Sequence, residues 1–420
     1  MRRVTACLLL MVVLTANSGC GTAGPSAGSR NKIQVWALQD ANNQPVIEKG
    51  IANFNRYSVI HAELLTYGND AYKQKLQVSM GSPNAPDVFF NWGGGNLAQF
   101  VESDNVVDLT NRLLRDQDAN IFLPSVMEVG QVGGRQVGLP MNGIQPVVLF
   151  YNKKVFDEAG VKPPATYDEL LSLVDVFKRR KVIPIALPGS QGWTELMYLE
   201  YLLDRIGGPE KFKAIVDGKP GAWRDPAVLR ALTMCQDLAK RGAFGSRFAT
   251  INYDNTGASL LLATGKAAMF LMGSWEYANQ ASNNEEFVKA GHLGWVPFPV
   301  VVGGEGDPTN VVGNPSNYFS VTEKSSHRDA AVNFVIEMTT SPEYISALIE
   351  AGQVPAVIGV EDQLAGGANA DFAKFTYRMV ADAKSFTQSW DQALSPSVGG
   401  ELLTNLQKLF LSDISPEQFV

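Results

Sequence analysis

The sequence predicts an α/β protein built from two domains. Short apolar, β-branched runs at residues 32–38, 62–67 and 87–92 alternate with amphipathic segments of helical period. A succession of strand, helix, strand, helix and strand predicts a parallel sheet with right-handed crossovers. The alternation resumes at residues 183–187 and 266–271, and a chain of 420 residues is long enough for about two domains.

The segment at residues 138–170 is the best-marked part of the chain. An apolar run at residues 147–151 predicts a buried strand. A short helix follows and ends at Gly160, a residue type that commonly terminates helices. The pattern Thr166-x-x-Glu169 predicts a capping box, and therefore the start of another helix.

The order of motifs in this segment resembles that of the extracellular solute-binding proteins of ABC sugar importers, the group that includes maltose-binding protein. The motifs in question are Leu139-Pro140, a strand, Tyr151-Asn152-Lys153, Gly160, Pro163-Pro164 and Thr166 to Glu169. The stretch GKAAM at residues 265–269, followed by Gly273-Ser274-Trp275, is similar to a more specific motif of the same family. The resemblance extends over nearly all of the chain after residue 30.

The resemblance implies a two-lobed, periplasmic-binding-protein-like fold with three hinge crossings. The first crossing is expected at residues 142–145, the second in the glycine- and proline-rich stretch 297–315, and the third between residues 357 and 369. The N-terminal lobe is then residues 31–142 plus 317–360. The C-terminal lobe is residues 143–316 plus 361–420.

The resemblance also implies a function. Such a protein captures a small oligosaccharide outside the cell and delivers it, unconverted, to the permease subunits of an ABC importer. It needs no cofactor, and a monomer is expected. The stretch PNAPDVFFNWGGG at residues 83–95 is similar to actinobacterial proteins that bind xylo-oligosaccharides. Chitobiose and maltose-type oligomers stay open as ligands.

The tryptophans are the most informative candidates for ligand contacts, because sugars have apolar faces that stack on aromatic rings and polar edges that need amides and carboxylates. Trp36, Trp223 and Trp295 lie in or beside predicted elements and are interpreted as structural. The other tryptophans lie at the ends of predicted elements, where ligands of α/β folds bind. These binding candidates are Trp92, Trp193, Trp275 and Trp390.

Polar partners for a sugar are expected at the same ends of the elements. The candidates are Asp40, Asn91, Asn142, Asn317 and Asp391. Two alternatives stay open at this point. Asp40 either contacts the ligand or caps the following helix, and Asn142 and Asn317 either contact the ligand or serve the hinge turns. The family resemblance favours Asp391, because it places a sugar contact in this late segment.

Composition and motifs exclude several other classes of function. The net charge is −7 and no basic run of nucleic-acid type is present, which excludes a nucleic-acid partner. The three histidines are far apart in sequence, which disfavours a metal site or a histidine-based triad. Gly93-Gly94-Gly95 lacks the lysine and hydroxyl residue of a phosphate-binding loop, and is interpreted as a tight turn that permits close approach of a ligand. A secreted glycoside hydrolase stays open as the alternative, because its two carboxylates leave no sequence motif.

The N-terminus predicts export and a lipid anchor. Arg2 and Arg3 precede an apolar run at residues 4–16 that is too short to span a bilayer, so residues 1–19 are a predicted signal peptide. Ser18-Gly19-Cys20 resembles a bacterial lipobox, although Asn17 departs from its usual aliphatic residue. Lipidation of Cys20 and a polar tether at residues 20–30 would hold the protein on the outer face of the cytoplasmic membrane. Cys235, the remaining thiol, is expected to be buried.

We expect Cys20→Ala to release the protein from the membrane into the medium, because the variant lacks the sulfur that would carry the lipid. Fractionation of cells followed by immunodetection measures the partition. Membrane association equal to that of the unsubstituted protein would contradict the anchor.

Overall fold

A computed structural model describes residues 31–116, 118–367 and 369–420. The predicted signal peptide, Cys20 and the tether lie outside the described residues.

Strands and helices alternate along most of the chain. The strands are β1 (Lys32–Leu38), β2 (His61–Tyr67), β3 (Val88–Asn91), β4 (Gln131–Val132), β5 (Arg135–Gln136), β6 (Leu139–Pro140), β7 (Gln145–Asn152), β8 (Ile183–Ala186), β9 (Ala267–Gly273), β10 (Leu293–Val296), β11 (Val311–Asn314), β12 (Tyr318–Val321) and β13 (Phe386–Gln388). The helices are α1 (Gln44–Tyr57), α2 (Asn69–Ser79), α3 (Gly94–Glu102), α4 (Thr110–Asp116), α5 (Pro124–Val129), α6 (Lys153–Ala159), α7 (Tyr167–Arg179), α8 (Gly192–Gly207), α9 (Pro209–Val216), α10 (Pro226–Lys240), α11 (Gly257–Ala263), α12 (Glu276–Asn283), α13 (Glu285–Lys289), α14 (Arg328–Thr340), α15 (Pro342–Glu350), α16 (Glu361–Leu364), α17 (Ala370–Ala381), α18 (Trp390–Ala393), α19 (Pro396–Leu411) and α20 (Pro416–Phe419). Turns of 3-10 helix lie at Asp118–Ile121, Ala222–Arg224 and Phe248–Thr250.

The first sheet has the strand order β2-β1-β3-β12-β6 and forms the N-lobe. β1 pairs in parallel with both β2 and β3, which confirms the prediction from the strand–helix alternation. β12 and β6 pair antiparallel at the other edge. The sheet is therefore mixed, because β12 enters it from the opposite lobe rather than through a helical crossover.

The second sheet has the order β13-β11-β7-β9-β8, with β10 also paired to β7, and forms the C-lobe. Its central strand is β7, the apolar run predicted to be buried, and every pairing of β7 is antiparallel. The capping box at Thr166 and Glu169 is present at the start of α7. Gly160 ends α6 in the left-handed conformation, as predicted.

Each lobe has its own hydrophobic core. The N-lobe core collects the side chains of β1, β3 and β12 with those of α1, α14 and α15. The C-lobe core surrounds α8, which is buried along almost all of its length. Cys235 of α10 lies fully buried in that core as a free thiol, which confirms the expectation for it.

Three connections join the lobes, as the resemblance implied. The chain passes from β6 to β7 through residues 141–144 and from β11 to β12 through residues 315–317. The third connection is made by α17, where two neighbouring residues pack in different lobes. Phe372 packs in the C-lobe core and Ala373 packs in the N-lobe core. Leu364 still packs in the N-lobe core.

The first connection is packed tightly against residues 352–355. Ile144 donates its backbone N–H to the carbonyl oxygen of Val354 over 2.8 Å. A Cβ atom on Gly143 would overlap that same carbonyl oxygen, so only glycine permits this approach. Within the described ranges, no helix is long and apolar enough to cross a bilayer.

Candidate functional site: a cavity between the lobes

A cavity of about 420 Å³ lies between the two lobes, and both lobes and the crossings line it. The N-lobe contributes the carboxyl end of β1 and the residues after β3, which is where ligands of parallel sheets bind. The C-lobe contributes the start of α8, the loop before α11, the turn after β9 and the segment 389–392.

An aromatic corner forms the C-lobe wall of the cavity. The ring of Trp193 lies edge-on to Tyr253 with centroids 5.5 Å apart, and lies 6.3 Å from the ring of Trp275. Trp275 folds its ring directly over Gly273, where a larger residue would leave no room for it. Gln191 holds the adjacent loop, because its side chain accepts from the Tyr253 N–H over 2.8 Å. These rings offer apolar faces for stacking.

Trp92 supplies an aromatic side chain on the opposite wall. It packs edge-on against Phe90 and Tyr72, with ring centroids 5.0 Å and 6.0 Å away. The Lys73 ammonium lies 4.9 Å from the centroid of the Trp92 ring, at cation–π distance. The cavity therefore has aromatic groups on both sides and a cation beside one of them.

A chain of amides forms the floor of the cavity at the hinge. Gln353 donates to Asn43 over 3.3 Å, Asn43 donates to Asn142 over 2.8 Å, and Asn142 donates to Asn317 over 3.0 Å. Gln353 also accepts from the backbone N–H of Gly143 over 3.0 Å. The chain thus links both crossings to the segment at residue 353, and it ends in the cavity at Asn317.

Several buried polar atoms of the cavity walls have no hydrogen-bond partner in the described part of the chain. They are Trp193 Nε1, Asn314 Oδ1, Asn317 Nδ2, Asp391 Oδ1 and Gln392 Oε1. A buried polar atom without a partner is costly, by about 1–3 kcal/mol. Donors and acceptors are both present, and each of these atoms has almost no accessible surface in this structure.

The lobes contact each other at both rims of the cavity. At one rim Asn42 donates to Asn279 over 2.6 Å and accepts from the hydroxyl of Ser282 over 2.6 Å. At the other rim Lys73 forms an ion pair with Asp391 over 3.0 Å, and the Asp391 side chain is 3% exposed. The structure is therefore a closed form.

Most of the residues predicted as ligand contacts line this cavity. They are Asp40, Trp92, Asn142, Trp193, Trp275, Asn317 and Asp391. Asp40 lines the cavity but does not cap α1: its carboxylate accepts from the N–H groups of Asn42 and Asn43 in the turn before the helix, whose N-cap is Asn43. Asn142 likewise lines the cavity and belongs to the hinge network.

Asn91 and Trp390 do not line the cavity, contrary to the sequence-based expectation. The Asn91 amide is buried, where it donates to Ser320 over 2.9 Å and accepts from the Gly93 N–H over 3.0 Å. It therefore orders the turn after β3. The Trp390 ring turns into the C-lobe core and stacks on Phe212 with centroids 4.3 Å apart. Its neighbours Asp391 and Gln392 face the cavity instead.

Other cavity residues were not predicted from the sequence. They include Asn43, Lys73, Gln145, Tyr253, Asp254, Asn279, Asn283, Asn314 and Gln392. Asn314 carried a usable signal, because it lies in the predicted second crossing, where it is the last residue of β11. Tyr253 and Asn279 carried none, because they lie in a loop and on a helix face. No cluster of potential metal ligands occurs among the residues described.

A buried carboxyl group supports the aromatic corner from behind. Glu276 is fully buried and accepts hydrogen bonds from Tyr253, Ser259 and Gln280 over 3.0, 3.1 and 2.7 Å. Burial raises the pKa of Glu276 to about 7, and these hydrogen bonds only partly offset that rise. The protonation state of Glu276 is therefore coupled to the folded state at physiological pH.

We expect the free energy of unfolding to fall as the pH rises from about 5 to 7. In that window the folded chain keeps a proton on Glu276 that the unfolded chain has released, so rising pH favours unfolding. Urea titrations at several pH values measure how steeply the free energy of unfolding changes with pH. Glu276→Gln should reduce this pH slope, whereas Glu286→Gln, at an exposed position, should not. Burial also raises the pKa of Glu200 to about 8 and the pKa of Glu195 to about 9. Both groups therefore contribute to the pH dependence of the free energy of unfolding in every variant. An equal slope in the Glu276 and Glu286 variants would contradict the assignment.

Comparison with known proteins identifies the family. Residues 39–345 match the family described as bacterial extracellular solute-binding protein. An uncharacterized ABC transporter extracellular-binding protein of Pyrococcus horikoshii is 24% identical over 96% of this chain and 91% of its own length. The multiple sugar-binding protein of Streptococcus mutans is 28% identical over 84% of this chain and 81% of its own.

Solved structures agree in fold. A structure from work on xylan utilization by Caldanaerobius polysaccharolyticus has a TM-score of 0.83 and 28% identity, over 92% of this chain and 97% of that one. A chitin oligosaccharide binding protein has a TM-score of 0.81 and 24% identity, over 92% of this chain and 96% of that one. The chain therefore belongs to the family of bacterial extracellular solute-binding proteins.

Proposed function

We propose that the protein captures a short oligosaccharide between its lobes, with xylobiose and short xylo-oligosaccharides as the first candidates. It would then deliver the sugar to the permease subunits of an ABC importer. The observation that carries the proposal is the Trp193–Tyr253–Trp275 corner, which stands in a cavity lined by amide and carboxylate residues. Aromatic faces with donors and acceptors at their edges match the two kinds of surface that a sugar presents.

The size of the cavity supports a short ligand. Its volume of about 420 Å³ lies in the lower part of the range of roughly 300–1,000 Å³ for small-molecule sites. The rim contacts Asn42–Asn279 and Lys73–Asp391 close the cavity on two sides. A long polysaccharide would have to pass through one of these rims, whereas a short oligomer fits inside the closed form.

Two observations favour xylo-oligosaccharides over other sugars. The stretch at residues 83–95 is similar to actinobacterial binding proteins for these sugars, and it contributes Trp92 to the cavity. The structurally similar protein at 28% identity comes from work on xylan utilization. The members of this family are receptors rather than enzymes, which removes the glycoside hydrolase alternative.

The proposal includes a moving hinge and a lipid anchor. The lobes proposed to move are residues 31–142 plus 317–360 and residues 143–316 plus 361–420. The packing of Leu364 in the N-lobe core favours a slightly later third boundary. Cys20 would carry the lipid that keeps the receptor, as a monomer, at the outer face of the membrane.

Xylobiose is expected to bind stoichiometrically and to remain intact. Calorimetric titration with xylobiose, chitobiose and maltose identifies the ligand, and chromatography after prolonged incubation shows whether it survives. At about 100 times the dissociation constant, a ligand adds about 2.7 kcal/mol to the free energy of unfolding and should raise the melting midpoint by about 5–10 °C. Repeated turnover, or the absence of binding to every sugar tested, would contradict the proposed function.

Trp193→Ala and Trp275→Ala are expected to weaken binding by about thirtyfold or more, because truncation of an aromatic anchor costs about 2 kcal/mol or more. Trp390→Ala is the matched contrast. It should lower the free energy of unfolding by about 3–5 kcal/mol, because its ring fills the C-lobe core. Calorimetry and urea unfolding measure the two effects. Unchanged sugar affinity in both cavity variants would contradict the stacking role.

A further inference from the structure

In the glycine turn Gly93-Gly94-Gly95, Gly94 and Gly95 contact the opposite lobe rather than the cavity. A Cβ atom on Gly95 would lie 2.5 Å from the carbonyl oxygen of Leu394 and 2.6 Å from that of Ala393. A Cβ atom on Gly94 would lie 2.9 Å from the carbonyl oxygen of Gln392. None of the three glycines lines the cavity. Gly94 and Gly95, at the start of α3, therefore pack against residues 388–394. We call residues 93–95 the glycine seat.

The three glycines are needed for different reasons. Gly93 and Gly94 have φ values of +72° and +57°, a left-handed conformation that disfavours other residues whatever the space. Gly95 has no such value, and its position in α3 suits any helix-forming residue. Only the closeness of the opposite lobe requires glycine there. The nearby atoms are main-chain oxygens, which cannot rotate away.

Residues 388–394 belong firmly to the C-lobe. β13 pairs with β11, and the Trp390 ring stacks on Phe212. Buried Glu200 accepts from the hydroxyl of Ser389 and the N–H of Trp390, both over 2.8 Å. The contact with the glycine seat is therefore a contact between lobes, which opening of the cleft would break.

Contacts around the glycine seat orient the ligand-facing groups of this segment. Asn96 donates to the carbonyl oxygen of Asp391 over 2.9 Å, and Lys73 pairs with Asp391 Oδ2 over 3.0 Å. Gln388 donates to the carbonyl oxygen of Trp92 over 2.6 Å. Asp391 and Gln392 both line the cavity, and their Oδ1 and Oε1 atoms are buried without partners in the described part of the chain.

We propose that Gly95 and Asn96 are positioning residues for ligand binding: they touch no ligand, but they let α3 close on residues 388–394 and so bring Asp391 and Gln392 to the sugar. The proposal rests on the function proposed above. A ligand shifts the lobes toward closure only through its preference for the closed form. A side chain at residue 95 would oppose that shift, because it collides only when the lobes are closed.

Gly95→Ala tests the proposal, with Gly400→Ala as its matched control. Both glycines lie in helices without a left-handed φ, so alanine should not destabilise either helix. A Cβ on Gly400 meets open space. In calorimetry with xylobiose, Gly95→Ala should bind at least about tenfold more weakly than the control, because overpacking of this size opposes closure. Asn96→Ala should weaken binding less. Equal affinities in the Gly95→Ala and Gly400→Ala variants would overturn the proposal.

A second measurement needs no ligand. Asn42→Cys and Ser282→Cys are introduced together with Cys20→Ala. They place two thiols at the cavity rim where the side chains of Asn42 and Ser282 now form a hydrogen bond between the lobes. Cys235 is fully buried and should not interfere. Disulfide formation should be slower with Gly95→Ala than with Gly400→Ala, because closure is less frequent. Equal rates would overturn the proposal. If the unsubstituted protein bound no sugar, the proposed function would fail and this comparison would still decide the role of the glycine seat.

Discussion

The contacts that hold the two lobes together around the cavity are the constraint on which the rest of this structure depends. Trp193, Asn317 and Asp391 line that cavity, and each has one buried polar atom without a hydrogen-bond partner among the described residues. A ligand that contacts both lobes favours closure, because only the closed form offers it both walls of the cavity.

The two lobes contribute different groups to the cavity. The C-lobe presents Trp193 and Trp275, whose rings are held by Gly273 and by the loop that Gln191 anchors. The N-lobe presents Trp92 and the cation of Lys73. Between them the amides of Asn142 and Asn317 join the floor of the cavity to the crossings, so groups that line the cavity also hold the hinge. The cavity floor and the hinge therefore share the same hydrogen bonds.

Sequence patterns predicted the fold well because they report burial and periodicity directly. The parallel strands β1 to β3, the buried β7 and the capping box at Thr166 all follow from local residue order. Position at the end of an element selected Trp193 and Trp275 as candidates, and both line the cavity. The same criterion misplaced Trp390. Consecutive side chains of a helix point in different directions, so Trp390 faces the core while the next residue, Asp391, lines the cavity. Contacts between lobes, such as those of Gly95 with Leu394, join residues about three hundred positions apart and leave no local pattern.

The central claim is that ligand binding and closure of the two lobes are one event. Small-angle X-ray scattering of the protein with and without its tightest-binding sugar tests this claim most directly. The account predicts that the ligand-free protein has a larger radius of gyration than the closed structure, and that the sugar reduces it to the value calculated for that structure. A sugar that raises the melting midpoint while the scattering stays unchanged would contradict the account, because the ligand would then be held without any movement of the lobes.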